Sequence, residues 1–475
     1  MTNTWKPELP VVVIGAGPVG LAAAAHLAER GLDFVILEAG DTVAASVAAW
    51  GHVRVFSPWR YNTDPAARRL LATAGWTEPS PDALPTGREL IDAYLTPLAA
   101  HPAIAARLRV HTRVEAITRR HHDRVRSAGR ETAPFLLRLR TPDGEVDEVE
   151  ARAVIDASGT WTVPNVLGGD GLPALGEVEH ADRITPALPH VLGAQRRHFA
   201  GRHTLVVGAG HSAATTLLEL ATLADTEPGT RVTWAIRSGS PGRAYGGGDA
   251  DALPARGAIG TRLRGHVQAD RINVVTGFHT RSVSALPGGG VKLTGRRLDG
   301  TEEKLTADVV VNATGFRPDH TLTAELRLDL DPILGSTRAL APLIDPNHHS
   351  CGTVPPHGVD ELTHPEPGYY AIGVKSYGRA PTFLLATGYE QARSVVAALD
   401  GDWAAARDVQ LHLPETGVCS STLALDGAEA DTCCGAAADK PVAGGTSRGL
   451  ATGLAGGLSP LPVIERTPAA SGCCG

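Results

Sequence analysis

The run Val11-Val12-Val13-Ile14-Gly15-Ala16-Gly17-Pro18-Val19-Gly20 decides the fold, because a β-branched strand enters a glycine turn that opens straight into an Ala-rich helix, Leu21 to Arg30. The first glycine permits the tight strand-to-helix turn, the second lets backbone approach a pyrophosphate, and the third position keeps helix and strand close. Unpaired N–H groups at the helix start then face the anion. Phe34-Val35-Ile36-Leu37 follows as a second buried strand and ends in Glu38, which completes a βαβ unit. A carboxylate about twenty residues past the glycines is placed to bond the ribose hydroxyls of an adenosine and to repel a 2′-phosphate, which suits FAD or NAD. The bland alternative is a glycine turn in an ordinary α/β domain, and the rest of the chain argues against it.

The same signature recurs as Gly208-Ala209-Gly210-His211-Ser212-Ala213, after Thr204-Leu205-Val206-Val207 and before Val232-Thr233-Trp234-Ala235-Ile236. Here the residue beyond the second strand is Arg237 instead of an acid. A guanidinium at that place suits the 2′-phosphate of NADPH; the alternative is a solvated loop charge. A second repeat supports the first: Ala153-Val154-Ile155-Asp156-Ala157-Ser158-Gly159 and Val309-Val310-Val311-Asn312-Ala313-Thr314-Gly315 each close a dinucleotide-binding half. Phe135 to Arg140 and Val291 to Thr294, with the turn pairs Asp143-Gly144 and Asp299-Gly300, read as β-meanders packed on the parallel sheets. The expected architecture is α/β, with two Rossmann-like dinucleotide-binding domains, for FAD and NADPH, and β-meanders. The FAD domain is expected over 1–165 and 306–415, the NADPH domain over 166–305, and a flexible cysteine-containing tail over 416–475.

Length and charge agree with a soluble enzyme. The 475 residues allow two or three domains, and a net charge of −7 from 44 basic and 51 acidic residues leaves no basic surplus for nucleic acid. Met1 to Lys6 lacks the layout of a signal peptide and Val11 to Ile14 is too short to span a bilayer, so a cytoplasmic, reducing setting is expected.

Cysteine placement is the other informative feature. Residues 1–350 contain none; the cysteines are Cys351, Cys419, Cys433, Cys434, Cys473 and Cys474. Enzymes that pass electrons from flavin to a disulfide use a dithiol spaced C-x-x-C or C-x-x-x-x-C, and no such spacing is present. From Thr416 onward the chain turns rich in Gly, Ala, Ser and Thr, as a mobile tether would. Its vicinal pairs, Cys433-Cys434 and Cys473-Cys474, suit a thiophilic ion such as trivalent arsenic or mercury, or are incidental thiols. The histidines are scattered without zinc spacing, and His121-His122 lies in an Arg-rich loop that reads as solvated.

With these residues in view, the chain over roughly residues 9–410 resembles the flavin-containing and Baeyer–Villiger type monooxygenases. The order that carries the resemblance is the first glycines, the Ala-Ser-Gly turn followed by Trp161 and Pro164, Phe199-Ala200-Gly201-Arg202 leading into the second glycines, and Asn312-Ala313-Thr314-Gly315-Phe316-Arg317-Pro318-Asp319. Gly176 and His180 hold two places of the family's linker fingerprint, while Ala174 and Ile184 stand where it has aromatics. Together with the vicinal-cysteine tail, the whole looks like the flavoprotein monooxygenases encoded in bacterial arsenic-resistance operons.

The resemblance implies a cofactor-binding set of Gly15, Gly17, Pro18, Gly20, Glu38, Trp50, Gly159, Gly208, Gly210, Ser212, Ala213, Arg237, Thr314, Gly315 and Gly373. Gly368 to Lys375 resembles a strand returning to the FAD domain, with Thr387 to Leu399 as the next helix. Asn62 stands where such enzymes place an asparagine near the flavin, or is a turn residue before Asp64-Pro65. Cys351 would receive a thiophilic substrate from the tail, or sits in a Pro-rich surface loop with His348, His349 and His357. The implied chemistry is hydride transfer from NADPH to FAD, addition of oxygen at flavin C4a, and transfer of the peroxide oxygen to a soft nucleophile such as a trivalent arsenical. Two other readings stay open at this point. One is an NADPH-dependent reductase passing electrons to Cys351, the tail dithiols or a bound metal; the other is a metalloid-sequestering arm on a nucleotide-binding scaffold.

Overall fold

The computed structural model of the chain describes residues 8–251, 253–347 and 354–411. Strand β1 (Val11–Ile14) is wholly buried and leads through the glycine turn into a helix over Pro18–Glu29, after which β2 (Phe34–Leu37) pairs parallel to it. Pro18 opens the helix without cost because a first-turn N–H would be unpaired in any case. A short β3 (Leu108–Arg109) extends the sheet, and β4 (Arg113–Arg119), β5 (Phe135–Arg140) and β6 (Val146–Ala151) form an antiparallel meander. Alternation decides how the meander sits: Phe135, Leu137 and Leu139 turn inward against Val12, Ile14, Val35 and Leu37, and the residues between them face outward. β7 (Ala153–Asp156) then closes against β1.

The second lobe repeats this plan. β8 (Ile184–Thr185) precedes β9 (His203–Val207), the helix His211–Ala224, β10 (Arg231–Ala235) and β11 (Asn273–Val275). A second meander, β12 (His279–Ala285), β13 (Val291–Arg296) and β14 (Glu302–Ala307), packs Phe278, Val283 and Leu293 onto Leu205, Val207 and Ala235. β15 (Val309–Asn312) pairs with β9 from Val309 opposite Thr204 to Asn312 opposite Val207. The chain then returns to the first lobe, where β16 (Tyr369–Ala371) lies parallel to β7 and the helix Leu385–Leu399 follows. The sheet orders are β16-β7-β1-β2-β3 and β11-β10-β9-β15-β8.

The expected domain boundary at residue 306 is corrected by this topology. β14 completes the second meander and β15 lies inside the second sheet, so the second lobe runs past 306 to Asn312. The reason is pairing: a buried Val-Val-Val strand finds its ladder beside β9, and the return to the first lobe waits until that ladder is complete.

Two segments cross between the lobes side by side. Asn165 N–H donates to the Gly315 carbonyl at 2.8 Å, Arg317 N–H to the Val163 carbonyl at 3.0 Å, and the Trp161 and Phe316 rings meet at 4.6 Å. The returning segment is also anchored by a buried ion triad, in which the Glu366 carboxylate accepts from Arg119 Nε and Arg130 Nη2, both at 2.7 Å. Burial alone would favour the neutral acid, but the two guanidiniums outweigh it and hold Glu366 below its ordinary range.

Candidate functional site

Each lobe places its glycine turn at the carboxyl ends of its parallel strands, where open α/β sheets bind ligands. Gly15 has φ +95°, and a Cβ there would stand 2.8 Å from the Ala157 carbonyl oxygen, so the β1 turn and the β7 turn touch through backbone. Gly208 has φ +133°, and its Cβ would collide with the Ala313 carbonyl in the same way. Gly17 and Gly210, by contrast, have nothing within 4 Å of a built Cβ. The outer side of each turn is therefore open backbone at a helix start, the surface a pyrophosphate needs. Gly17 and Gly210 are also the N-cap residues of the helices Pro18–Glu29 and His211–Ala224, neither of which has a side-chain cap.

The second-strand residues differ as the sequence shows. Glu38 accepts from Ala16 N–H at 2.6 Å and Gly40 N–H at 2.7 Å, so its carboxylate is held against the first turn. Arg237 is exposed just beyond β10, with Nη1 donating to the Gly169 carbonyl at 3.3 Å and no ion pair among the described residues. It is a cation available to an anion. Ser212 and Ala213 lie in the first turn of the helix after Gly210, and Ala213 is fully buried where a larger side chain would push helix and strand apart.

The closing turns are tied by side chains. In the second lobe, Thr314 N–H donates to Asn312 Oδ1 at 3.2 Å and Thr314 Oγ1 lies 2.6 Å from the same oxygen. Asn312 Nδ2 in turn donates to the Asn165 carbonyl at 2.8 Å, and Gly315 is pinned by Asn165 at the crossover. In the first lobe, Ser158 N–H and Oγ donate to Asp156 Oδ1 at 3.1 and 2.6 Å. Asp156 Oδ2 accepts from Lys375 Nζ at 2.6 Å and from Tyr369 Oη at 2.9 Å. Burial disfavours the Asp156 anion, but the Lys375 charge and these hydrogen bonds outweigh it, so the carboxyl is held below its usual value. Gly373, two residues before Lys375, lies against Val19 and donates its N–H to Gln391 Oε1 at 2.7 Å. Gly15, Gly20, Glu38 and Gly373 thus lie around the turn that opens the helix Pro18–Glu29: a Cβ on Gly20 would stand 2.0 Å from the Gly15 carbonyl oxygen, and Gly373 packs against Val19.

Other sequence candidates fall elsewhere. Trp50 packs over Gly87, whose Cβ would stand 2.8 Å from the indole. Asn62 is buried, and its amide donates to the carbonyls of Ser57 at 2.6 Å and Pro58 at 2.9 Å while Oδ1 accepts from Ser57 Oγ at 3.0 Å. Both amide protons are committed to the turn, which is the arrangement of a turn residue. The same segment still reaches the second glycine turn, because the Phe56 ring lies 4.9 Å from that of His211. His357 is buried, with Nε2 3.0 Å from Gln391 Nε2. Cys351, His348 and His349 lie outside the described residues, as do Cys433, Cys434, Cys473 and Cys474. Among the described residues no group of three His, Cys, Asp or Glu could hold a metal ion, and no helix is long and apolar enough to cross a membrane.

Lys375, Asp156 and Tyr369 were not singled out from sequence. The available signal was a difference inside the repeat, Asp156 against Asn312, together with a lysine in the returning segment.

Two dinucleotide turns in paired parallel sheets, one lobe interrupted by the other, define a two-dinucleotide oxidoreductase. The chain belongs to the pyridine nucleotide-disulphide oxidoreductase family, whose profile matches residues 12–333. The chain is of the class of flavoproteins that use FAD and NADPH. Over 226 residues it is 30% identical to the indole-3-pyruvate monooxygenase YUCCA1 of Oryza sativa subsp. japonica, a match covering 46% of each protein. The chain thus spans about half the length of the curated relatives it matches. Among solved structures, the bacillithiol disulfide reductase Bdr of Bacillus cereus superposes with a TM-score of 0.61 at 18% identity, over 83% of this chain and 99% of that one. The cadaverine monooxygenase DfoA of Erwinia amylovora, in its FAD-bound crystal structure, superposes with 0.58 at 14% identity, over 87% and 99%. These likenesses establish the fold.

Proposed function

We propose that this chain is an FAD-dependent, NADPH-consuming monooxygenase that oxygenates a soft nucleophile, with a trivalent arsenical as the leading substrate class. The observation that carries the reading is the combination of two complete dinucleotide turns with a body, residues 1–350, that contains no cysteine. A flavin-to-dithiol relay inside that body has no cysteines to use, which favours oxygen as the acceptor over an internal disulfide. The matched stretch of monooxygenase relatives supports the same direction.

In this reading the first turn holds the FAD pyrophosphate and Glu38 its ribose, while the second turn holds NADPH and Arg237 its 2′-phosphate. When bound, the flavin supplies the hydride acceptance and oxygen chemistry. The protein's part is to bring the two crevices together through the paired crossover at 163–165 and 315–317, and to cover the reacting centre from water. No paired carboxylates or Ser-His-Asp set are required for that. The cytoplasm is the proposed setting, and the tail cysteines the proposed collectors of a thiophilic substrate.

The balanced reaction converts substrate, oxygen, NADPH and a proton to oxygenated substrate, water and NADP⁺; with an arsenical, trivalent arsenic loses two electrons and gains one oxygen. Incubation with NADPH, isotopically labelled oxygen and a trivalent organoarsenical tests it. Label in the pentavalent product supports the reading. The reductase alternative, favoured by the family's name, instead predicts NADPH oxidation without oxygen and the appearance of new thiols. NADPH oxidation that proceeds anaerobically to completion would overturn the monooxygenase.

A further inference from the structure

Besides the crossover segments, two ring contacts join the lobes, and one stretch of the first lobe, His52 to Phe56, supplies both. This strap is tied to its own lobe by backbone: Val55 N–H donates to the Pro85 carbonyl and Gly87 N–H to the Val53 carbonyl, each at 2.9 Å. The His52 ring stacks on that of His190, with centroids 4.2 Å apart and 18° between the planes. His190 belongs to the second lobe, because its neighbour Val191 is fully buried in that lobe's core and its own N–H donates to Gln195 Oε1 at 2.8 Å. On its other side the His190 ring lies on Gly193, where a Cβ would stand 2.2 Å from ring atoms, so a larger residue there would push the ring away. Four residues beyond His52, the Phe56 ring lies 4.9 Å from that of His211, the first residue of the helix behind the second glycine turn. One strap of the first lobe thus holds the second lobe beside its core and at its helix start.

The histidine stack suits a neutral His52 and opposes a charged one. His52 Nε2 is buried and has no hydrogen-bond partner among the described residues. A second proton would place an N–H there with no acceptor and a positive charge against the His190 ring. Burial chiefly, and then His190, hold His52 below its ordinary value, although an N–H toward the Pro189 carbonyl works the other way. Nearby charges do not compensate. On the strap itself, Arg54 reaches the Leu84 carbonyl and lies 3.7 Å from Glu89. Arg88, whose N–H donates to the Gly51 carbonyl at 2.7 Å, pairs with Asp92. From the second lobe, Glu219 lies against the Val191 N–H, but burial pushes its carboxyl up to about 7, so it loses its charge before His52 gains one. Neither ring of the stack has an ion-pair partner among the described residues.

We propose that the strap His52 to Phe56 is a proton-released latch between the lobes: with His52 neutral it docks the first lobe onto the second-lobe turn, and protonation of the imidazole parts the stacked rings and frees that turn. The sign follows from the lowered value of the docked ring: docking is fully present above the ordinary 6.5 of a free histidine and is lost as pH falls below it. The latch rests on ring contacts alone. Its effect on hydride transfer rests in addition on the reading of the second turn as the NADPH site.

Hydrogen exchange on the full chain at about pH 8 and about pH 5.5, corrected for the intrinsic rate, tests the latch without any cofactor. Peptides covering 51–57 and 189–195 should exchange about threefold faster or more at the lower pH, while the strand Phe135–Arg140 keeps its protection. His52→Phe keeps a ring on His190 but takes no proton, so it should hold both peptides at their high-pH protection throughout. His190→Phe makes the same comparison if the first variant does not fold. Equal protection of wild type at the two pH values, or the same acceleration in the phenylalanine variant, overturns the latch. Anaerobic reduction of bound flavin by saturating NADPH then reads the consequence: wild type should slow about threefold or more at the lower pH, and His52→Phe should slow less. A chain whose flavin NADPH does not reduce at either pH overturns the functional reading and leaves the latch to be judged by exchange.

Discussion

The two lobes are the same device wired for different charges. Both run strand, glycine turn, helix, meander and closing strand, and both press the first glycine onto the carbonyl of the closing turn. The first lobe surrounds its turn with Glu38, Asp156 and Lys375, whereas the second uses Arg237, Asn312 and Asn165. The backbone geometry is shared between the lobes, and the side-chain charge at a few fixed places is what differs. The buried acids carry the same lesson. Asp156 is compensated and stays ionised, while Glu219, on the helix His211–Ala224, has a buried Oε2 without a partner among the described residues, and burial pushes its carboxyl up to about 7.

The comparison breaks most visibly if the shared turns are filled. Gly15→Val should purify without flavin, and Gly208→Val should keep its flavin while the KM for NADPH rises by about a hundredfold or more, since each change costs on the order of 3 kcal/mol in strained backbone. Flavin absorbance and steady-state kinetics report the two outcomes; flavin lost from the second variant and kept in the first would exchange the assignments.

Reversing the selecting charge is the next largest test. Arg237→Asp should raise the KM for NADPH about thirtyfold or more, the loss of a charge-assisted phosphate contact, and leave NADH nearly untouched. Equal effects on both nucleotides would reduce Arg237 to a solvated loop charge.

The contrast between the acids has a defined sign. Glu219 binds its proton more tightly folded than unfolded, so its contribution to stability is fully present below its ordinary value of 4.5 and is lost as pH rises toward about 7. Glu219→Gln should therefore stabilise the chain at pH 8 by about 1–2 kcal/mol, with the gain vanishing at acid pH. Asp156 has the opposite slope: its folded value is lowered, so its stability is present above the unfolded value and is lost only as pH falls through the folded one. Denaturant melts at several pH values separate the two. The smallest effect is expected from truncation, since removing everything after Thr416 should leave the flavin-to-protein ratio unchanged; an apoprotein would extend the FAD lobe into that segment.

Much of this was legible in local pattern. β-branched runs before glycine turns, alternation in Phe135 to Arg140, and Asp-Gly turn pairs each encode their own element within a few residues, so strands, turns and meanders follow from spacing alone. The doubling of the lobes was equally visible, as was the return of the chain at Gly368 to Lys375. Less legible was the boundary at 306, because a closing strand reads the same whichever sheet it joins, and only the pairing of β15 with β9 assigns it. Asn62 shows the same limit, since an asparagine in a turn looks alike whether its amide faces a ligand or two carbonyls of its own loop.

What the sequence by itself determined is the repeated dinucleotide plan and the charge at each strand end, both of which depend on residues close in the chain. What only the tertiary structure decided is which distant groups meet beneath the turns. Lys375 reaches Asp156 because β16 pairs with β7 after the whole second lobe has intervened, and Glu219 lacks a countercharge because no cation among the described residues is folded against it. Local conformation follows from nearby sterics, whereas the electrostatics of a buried group depend on everything packed around it.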